Sequence, residues 1–286
     1  DFYDLKLGYN TTAVYFIGAS HVAESVYPAE INRLLSEMGY ENVTVYTIYV
    51  SQEGPLDRLV HLKKLIESRP SLVIYGIAEE SLTQDSLNED NILIVQDRLD
   101  VPDNIKQFYT SDELLLFETK NLWKMKRFLR NAATSLLATS IREDMYNYDY
   151  TSDPLSGPES RKHIAEMRYD AALIDDLRNS EKYTKYYNIT DSSRTVKAFN
   201  YILDSLDKEG IDVAVVNVPI NPLRSDIISQ ESRENFFEIL NNTGYNWYDL
   251  EYSISEEYYF DGTHTTFEGA LLLAPIWADI IAQELS

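Results

Sequence analysis

The sequence predicts an α/β fold, a three-layer, doubly wound, mostly parallel sheet with a helical insertion. Three observations predict it. Apolar runs of strand length alternate with segments whose apolar residues recur at helical spacing. The alternation begins strand, helix, strand, helix, strand, the rhythm that puts parallel strands under helices on both faces. The chain is 286 residues long and 44% hydrophobic, enough for one large buried core without a metal or disulfide to hold it.

The elements follow in order. Thr12 to Gly18 reads as a buried first strand. Val22 to Met38 carries Val22, Val26, Ile31, Leu34, Leu35 and Met38 at helical spacing, and Gly39 suits a helix end. Val43 to Val50 is a second strand, rich in β-branched residues and Tyr. Pro55 to Ser68 is a helix with Pro in its first turn and Pro70 beyond its end. Leu72 to Ile77 is the third strand. The stretch of about 80–190 interrupts the rhythm. Within it Ser111 to Ile141 reads as helical, Arg142 to Gly157 as a loop or lid, and Ser160 to Asn179 as another helix. The rhythm resumes with a helix over Ser193 to Glu209, a strand over Val213 to Val218, a helix over Asp226 to Leu240, a short strand over Trp247 to Leu250, and a final helix over Thr266 to Leu285. One domain over 1–286, with its insertion at about 80–190, is the simplest account.

Composition removes several function classes. The net charge of -22 opposes nucleic-acid binding, because phosphates attract Lys and Arg. The absence of cysteine excludes thiol nucleophiles, disulfides and zinc-thiolate sites. His61 and His163 have no metal-ligand partners at useful spacing, so no metal is expected. Gly18-Ala19-Ser20 lacks a phosphate-cradling glycine pattern, and no cofactor is implied. No run approaches the ~18 apolar residues of a membrane span. The sequence starts at Asp1, so an anchor lost from the N-terminus stays open as an expectation. Sequons at Asn10, Asn42, Asn188 and Asn241 are weak signs of export, and the 22 tyrosines, some clustered at Tyr146, Tyr148 and Tyr150, suit exposed contacts with sugars.

Two segments at opposite ends of the chain carry chemistry. The first strand stops at Gly18-Ala19-Ser20, where a strand turns into a helix. Ligands of open α/β sheets bind beyond such strand ends. A serine there is either a nucleophile or only a helix cap. Near the other end, Asp261-Gly262-Thr263-His264 sets a carboxylate three residues before an imidazole. That spacing, read at a helix start, lets one turn project a base together with the group that fixes its tautomer. His21 is expected at the rim or in a structural role, and Asn221 in the pocket or in an ordinary turn.

On these two blocks the chain resembles the SGNH (GDSL-like) hydrolase superfamily, and its Val218-Pro219-Ile220-Asn221 segment is similar to the DltD and alginate O-acetylation branches. The resemblance implies an SGNH/flavodoxin-like sheet. It implies Ser20 as nucleophile, His264 as general base and acid, and Asp261 as the carboxylate that orients it. The chain departs from the family at Gly18-Ala19-Ser20, where Gly-Asp-Ser is usual, and at Gly76-Ile77-Ala78, where the family's Gly-x-Asn supplies an oxyanion donor. Ala78 has none, so the backbone N–H groups of Gly54 and Gly76 are expected to compensate. Glu79 and Glu80 are expected in a solvated loop. The function implied is an extracytoplasmic or cell-surface serine esterase or O-acyltransferase acting on a glycan or other acylated envelope polymer. Two alternatives remain: a non-catalytic domain that binds glycan or surface layer through a degenerate site, and an unrelated cytoplasmic α/β enzyme.

Overall fold

The computed structural model describes residues 11–50, 52–83, 101, 103–115, 117, 189–190, 193–226 and 228–286. Five strands, β1 (Thr12–Gly18), β2 (Val43–Tyr49), β3 (Leu72–Ile77), β4 (Asp212–Asn217) and β5 (Asn246–Asp249), form one sheet in the order β2-β1-β3-β4-β5. Every pairing is parallel. The chain runs outward from β1 to β2, then returns to the other side of β1 for β3. The order therefore reverses between β1 and β3, and in open α/β sheets the carboxyl ends of the strands at such a reversal are where ligands bind.

Alternation along the strands builds the three layers. In β1, Ala13, Tyr15 and Ile17 face a core shared with helices α3 (Pro55–Glu67), α5 (Arg194–Lys208) and α7 (Gln230–Asn242). Val14 and Phe16 face the opposite core, under α1 (Ser20–Ser25), α2 (Pro28–Glu37) and α8 (Phe267–Glu284). Both faces are buried, so the central strands read as continuous apolar runs rather than alternating ones. Two short helices, α4 (Glu79–Thr83) and α6 (Pro222–Ser225), follow β3 and β4. Ser193 and Thr266 cap α5 and α8, accepting from the N–H groups of Val196 and Gly269 at 3.1 Å each.

One expected helix is divided and another starts late. The segment from Val22 to Met38 is α1 and α2, separated at Val26 and Tyr27, both extended. Pro28 is the cause: it offers no N–H and pushes the residue before it out of the helical region. The helix expected over Asp226 to Leu240 starts late: α6 ends at Ser225, and α7 begins at Gln230, where the Ser229 hydroxyl accepts from Ser232 N–H at 3.1 Å. Within the predicted insertion, Ile105, Phe108, Tyr109 and Phe117 are buried against the α3/α5 core, and the Tyr109 hydroxyl donates to the Leu56 carbonyl at 2.8 Å. Residues 111–115 are helical. The predicted loop from Arg142 to Gly157, the helix from Ser160 to Asn179, His163 and the tyrosine cluster lie outside the described residues. No helix among the described residues is long and apolar enough to cross a membrane.

Candidate active site

A close glycine contact seats the first strand end. Gly18 has φ +146°, a conformation L side chains rarely adopt, and a Cβ there would lie 2.5 Å from the Gly76 carbonyl oxygen. A Cβ on Gly76 would lie 2.4 Å from Val22 Cγ2. The paired absence of side chains lets α1 start directly against β3. Ala19 is then the N-cap and Ser20 the first residue of α1, at the sheet's order reversal.

The other end of the chain is fastened to the same place. The Thr265 hydroxyl donates to the Glu24 carbonyl at 2.7 Å, and the Trp277 indole N–H donates to the Ser25 carbonyl at 2.9 Å. Trp277 also packs edge-on against Phe16, with ring centroids 5.1 Å apart. These contacts hold the end of α1 against the start of α8.

The result is a continuous chain of hydrogen bonds. Ser20 Oγ lies 2.7 Å from His264 Nε2, and His264 Nδ1 lies 2.7 Å from Asp261 Oδ2. Asp261 and His264 sit in a tight loop ahead of α8, not in the first turn of a helix as the spacing suggested, because Thr266 is the cap. Asp261 closes that loop itself: Oδ1 accepts the N–H groups of Thr263 and His264 at 2.8 Å each. Oδ2 is left for the imidazole. With Nδ1–H donating to Asp261, the Nε2 lone pair faces the Ser20 hydroxyl. Burial acts to raise the Asp261 carboxyl, but the hydrogen bond and charge of His264 and the two backbone N–H groups outweigh it and hold it below the usual value.

The other expected residues are placed differently. Gly54 caps α3, and its N–H donates to Asp57 Oδ2 at 3.0 Å, so that donor is already used. Gly76 lies inside β3, opposite Val216 of β4, and serves the α1 contact rather than a pocket. Asn221 is 1% exposed and is a brace, not a pocket wall: its Nδ2 donates to the Asp261 carbonyl at 3.2 Å, and its backbone N–H to the Gly262 carbonyl at 3.3 Å. His21 is buried rather than at the rim, and desolvation lowers it to about 4, so it is neutral near pH 7. His61 lies on α3.

The acids after β3 are not in a solvated loop. Glu79 is 5% exposed, and Glu80 pairs with Arg224 of α6. Sequence reasoning also missed Glu251, which is buried at the end of β5 and held by Arg233 Nη2 at 2.8 Å and Asn217 Nδ2 at 3.5 Å. The only signal for it was a run of charge after a short strand. Ala78, Glu79, Asn217, Glu251 and Thr263 border a small cleft, and the Thr263 hydroxyl lies 3.4 Å from His264 Nδ1. Among the described residues no group of three His, Cys, Asp or Glu could hold a metal ion.

No curated protein is similar to the chain in sequence. Among solved structures, a protein of Bacteroides fragilis NCTC 9343 provisionally described as an acylhydrolase is similar, at 10% identity over 100% of this chain and 99% of that one, with a TM-score of 0.45. A GDSL-like lipase of Bacteroides thetaiotaomicron VPI-5482 is similar at 11% identity over 95% and 88%, with a TM-score of 0.42. The acetyl xylan esterase AlAXEase is similar at 10% identity over 94% and 99%, with a TM-score of 0.43. At these identities and TM-scores none of the three assigns an activity to this chain. Residues 138–286, just over half of the chain, match one protein-family model that bears no descriptive name, and the chain belongs to the family which that model defines.

Proposed function

We propose that the protein is a serine esterase or O-acyltransferase of the SGNH type, acting outside the cytoplasm on acyl esters of a glycan or envelope polymer. The observation that carries the reading is the Ser20–His264–Asp261 hydrogen-bond chain, 2.7 Å at each link. A serine hydroxyl is a weak nucleophile until a base within hydrogen-bond reach takes its proton. Here the base is oriented by a carboxylate whose own loop is closed by two backbone N–H groups.

In the reaction, Ser20 Oγ attacks the ester carbonyl while its proton passes to His264 Nε2. Asp261 stabilises the imidazolium that forms. The tetrahedral oxyanion faces the backbone N–H of Ser20 at the start of α1, in place of the side-chain donor that Ala78 lacks. His264 returns the proton to the leaving alcohol, and an acyl ester remains on Ser20. Water or an acceptor hydroxyl, deprotonated by His264, then releases the acyl group. The exposed sequon residues Asn42 and Asn241 are compatible with an extracytoplasmic location.

Ala78 is the observation that favours the second reading, a glycan- or surface-layer-binding domain without turnover. A fluorophosphonate probe separates the two. One adduct on Ser20, absent from Ser20→Ala, is the expected result. A folded protein that takes up no probe would overturn the esterase reading in favour of binding.

A further inference from the structure

Phe260 is 9% exposed, yet it belongs to neither of the apolar cores that the sheet buries on its two faces. Its ring lies instead against the imidazole of His264. The two ring planes are 11° apart, nearly parallel, and their centroids are separated by 5.4 Å. The backbone sets this meeting. Tyr259 and Thr265 form an antiparallel bridge at the neck of the Asp261 loop. The Phe260 N–H donates to the His264 carbonyl at 3.1 Å, and the Thr266 N–H donates to the Tyr258 carbonyl at 2.8 Å. Phe260 and His264 therefore stand opposite one another across the neck, the relation in which cross-strand side chains touch.

The hydrogen bonds of His264 fix its direction more firmly than its plane. Nδ1 faces Asp261 Oδ2 and Nε2 faces Ser20 Oγ, each at 2.7 Å. A hydrogen bond weakens steeply only below about 120°, so both bonds tolerate a tilt of the ring. A flat group packed on the ring face does not, because the two surfaces are already in contact.

Charge adds a second contribution. As Ser20 Oγ bonds to the ester carbon, the carbonyl electron pair moves to the oxygen and the Ser20 proton passes to Nε2. The imidazole becomes a cation at that moment. The face of an aromatic ring is negative, and a cation within about 6 Å of the ring centroid is attracted to it. The His264 side chain is 24% exposed, so water screens this attraction only in part. It acts on the imidazolium far more than on the neutral ring, and so favours the transition state over the ground state.

We propose that Phe260 is a positioning residue for His264: its ring face fixes the plane of the imidazole and stabilises the imidazolium formed during acyl transfer. This role rests on the esterase reading.

The experiment uses the full chain. Phe260→Leu removes the ring and keeps an apolar side chain, with Phe260→Met in its place if the leucine variant does not fold. Phe260→Tyr keeps the ring. Three readouts are taken: steady-state hydrolysis of p-nitrophenyl acetate, the rate at which the fluorophosphonate probe labels Ser20, and the NMR resonances of the His264 ring protons. Thermal melts verify that each variant is folded. Phe260→Leu is expected to lower kcat and the labelling rate about tenfold, with KM within about twofold, and to displace the His264 ring resonances. Phe260→Tyr keeps both rates within about threefold of the parent and leaves those resonances nearly in place. A folded leucine or methionine variant that matches the parent, a loss confined to KM, or a tyrosine variant no faster than leucine would each overturn the proposal. A role in packing alone would lower the melting temperature of Phe260→Leu and spare its kcat. A parent that takes up no probe would overturn the esterase reading and this role with it, whereas a labelled parent with an equally fast leucine variant would overturn this role alone.

Discussion

Asp261 and Glu79 are two carboxyl groups at the same end of the same sheet, and the fold treats them oppositely. Asp261 has a side chain 40% exposed, yet four hydrogen bonds converge on it, and it is held below its usual value. Glu79 is 5% exposed, receives no hydrogen bond from any described group, and is pushed up to about 8. Position at a strand end does not decide the charge. The number of donors aimed at the carboxylate does, because each bond to the charged form offsets desolvation. Pairs of titratable groups driven apart in this way are a recurrent mark of sites that run acid and base chemistry together.

The largest effects come from breaking the Asp261 side. Ser20→Ala removes the hydroxyl that faces His264 Nε2 at 2.7 Å, and esterase turnover is expected to fall on the order of 10⁴–10⁶-fold with the melting temperature little changed. Activity above a few per cent of the parent on an acyl-ester substrate would end the mechanism. Asp261→Asn is next. The amide no longer enforces a proton on His264 Nδ1, so the Nε2 lone pair is lost to the wrong tautomer, and a drop of about 10⁴-fold in kcat is expected. A loss confined to KM would show that Asp261 shapes binding rather than the base.

Gly18→Ala tests the seat on which Ser20 depends. The new methyl group would meet a backbone oxygen at 2.5 Å from a residue already at φ +146°, so neither partner can yield cheaply. A destabilisation of about 1–3 kcal/mol by chemical denaturation is expected. Gly76→Ala is expected to cost less, since its nearest neighbours are the side chains of Val22 and Val218. The reverse ranking would mean that α1 is seated by something other than the β1–β3 contact.

The strands were legible because both faces of a parallel sheet are buried, which writes them as dense apolar runs such as Val14 to Ile17 and Val213 to Val216. The break at Pro28 and the cap at Ser229 were present as residue types, but apolar spacing masked them. Ser20, Asp261 and His264 stood out because a serine after a strand and an Asp-x-x-His are local patterns. The bonds that brace them were not local. Asn221 reaches 40 residues along the chain to the Asp261 carbonyl, and Gly54 gives its N–H to Asp57 rather than to a ligand. Glu79 was hidden for the same reason: its helix packs against α5 and α7, far along the sequence, and a charged residue after a strand ordinarily faces water.

The smallest effect sharpens the Glu79 side through stability. Its folded value of about 8 lies above the ordinary 4.5, so between those values the native state holds a proton that the unfolded chain has released. Stability from this group is therefore full below about pH 4.5 and is lost as pH rises through about 8. His21 works in the opposite sense: lowered to about 4 from 6.5, it adds stability as pH rises across that window and nothing above it. Asp261, held low, contributes throughout the neutral range and loses its effect only in acid. From pH 6.5 to 8 the contrast between parent and Glu79→Gln thus isolates Glu79, while Glu53, also raised to about 8 by burial, cancels because both proteins carry it. Glu79→Gln is expected to gain on the parent by on the order of 1 kcal/mol across that interval in urea denaturation. A difference that stays flat from pH 6.5 to 8 would mean that Glu79 is already ionised at neutral pH, and the two carboxyl groups would then differ in burial alone.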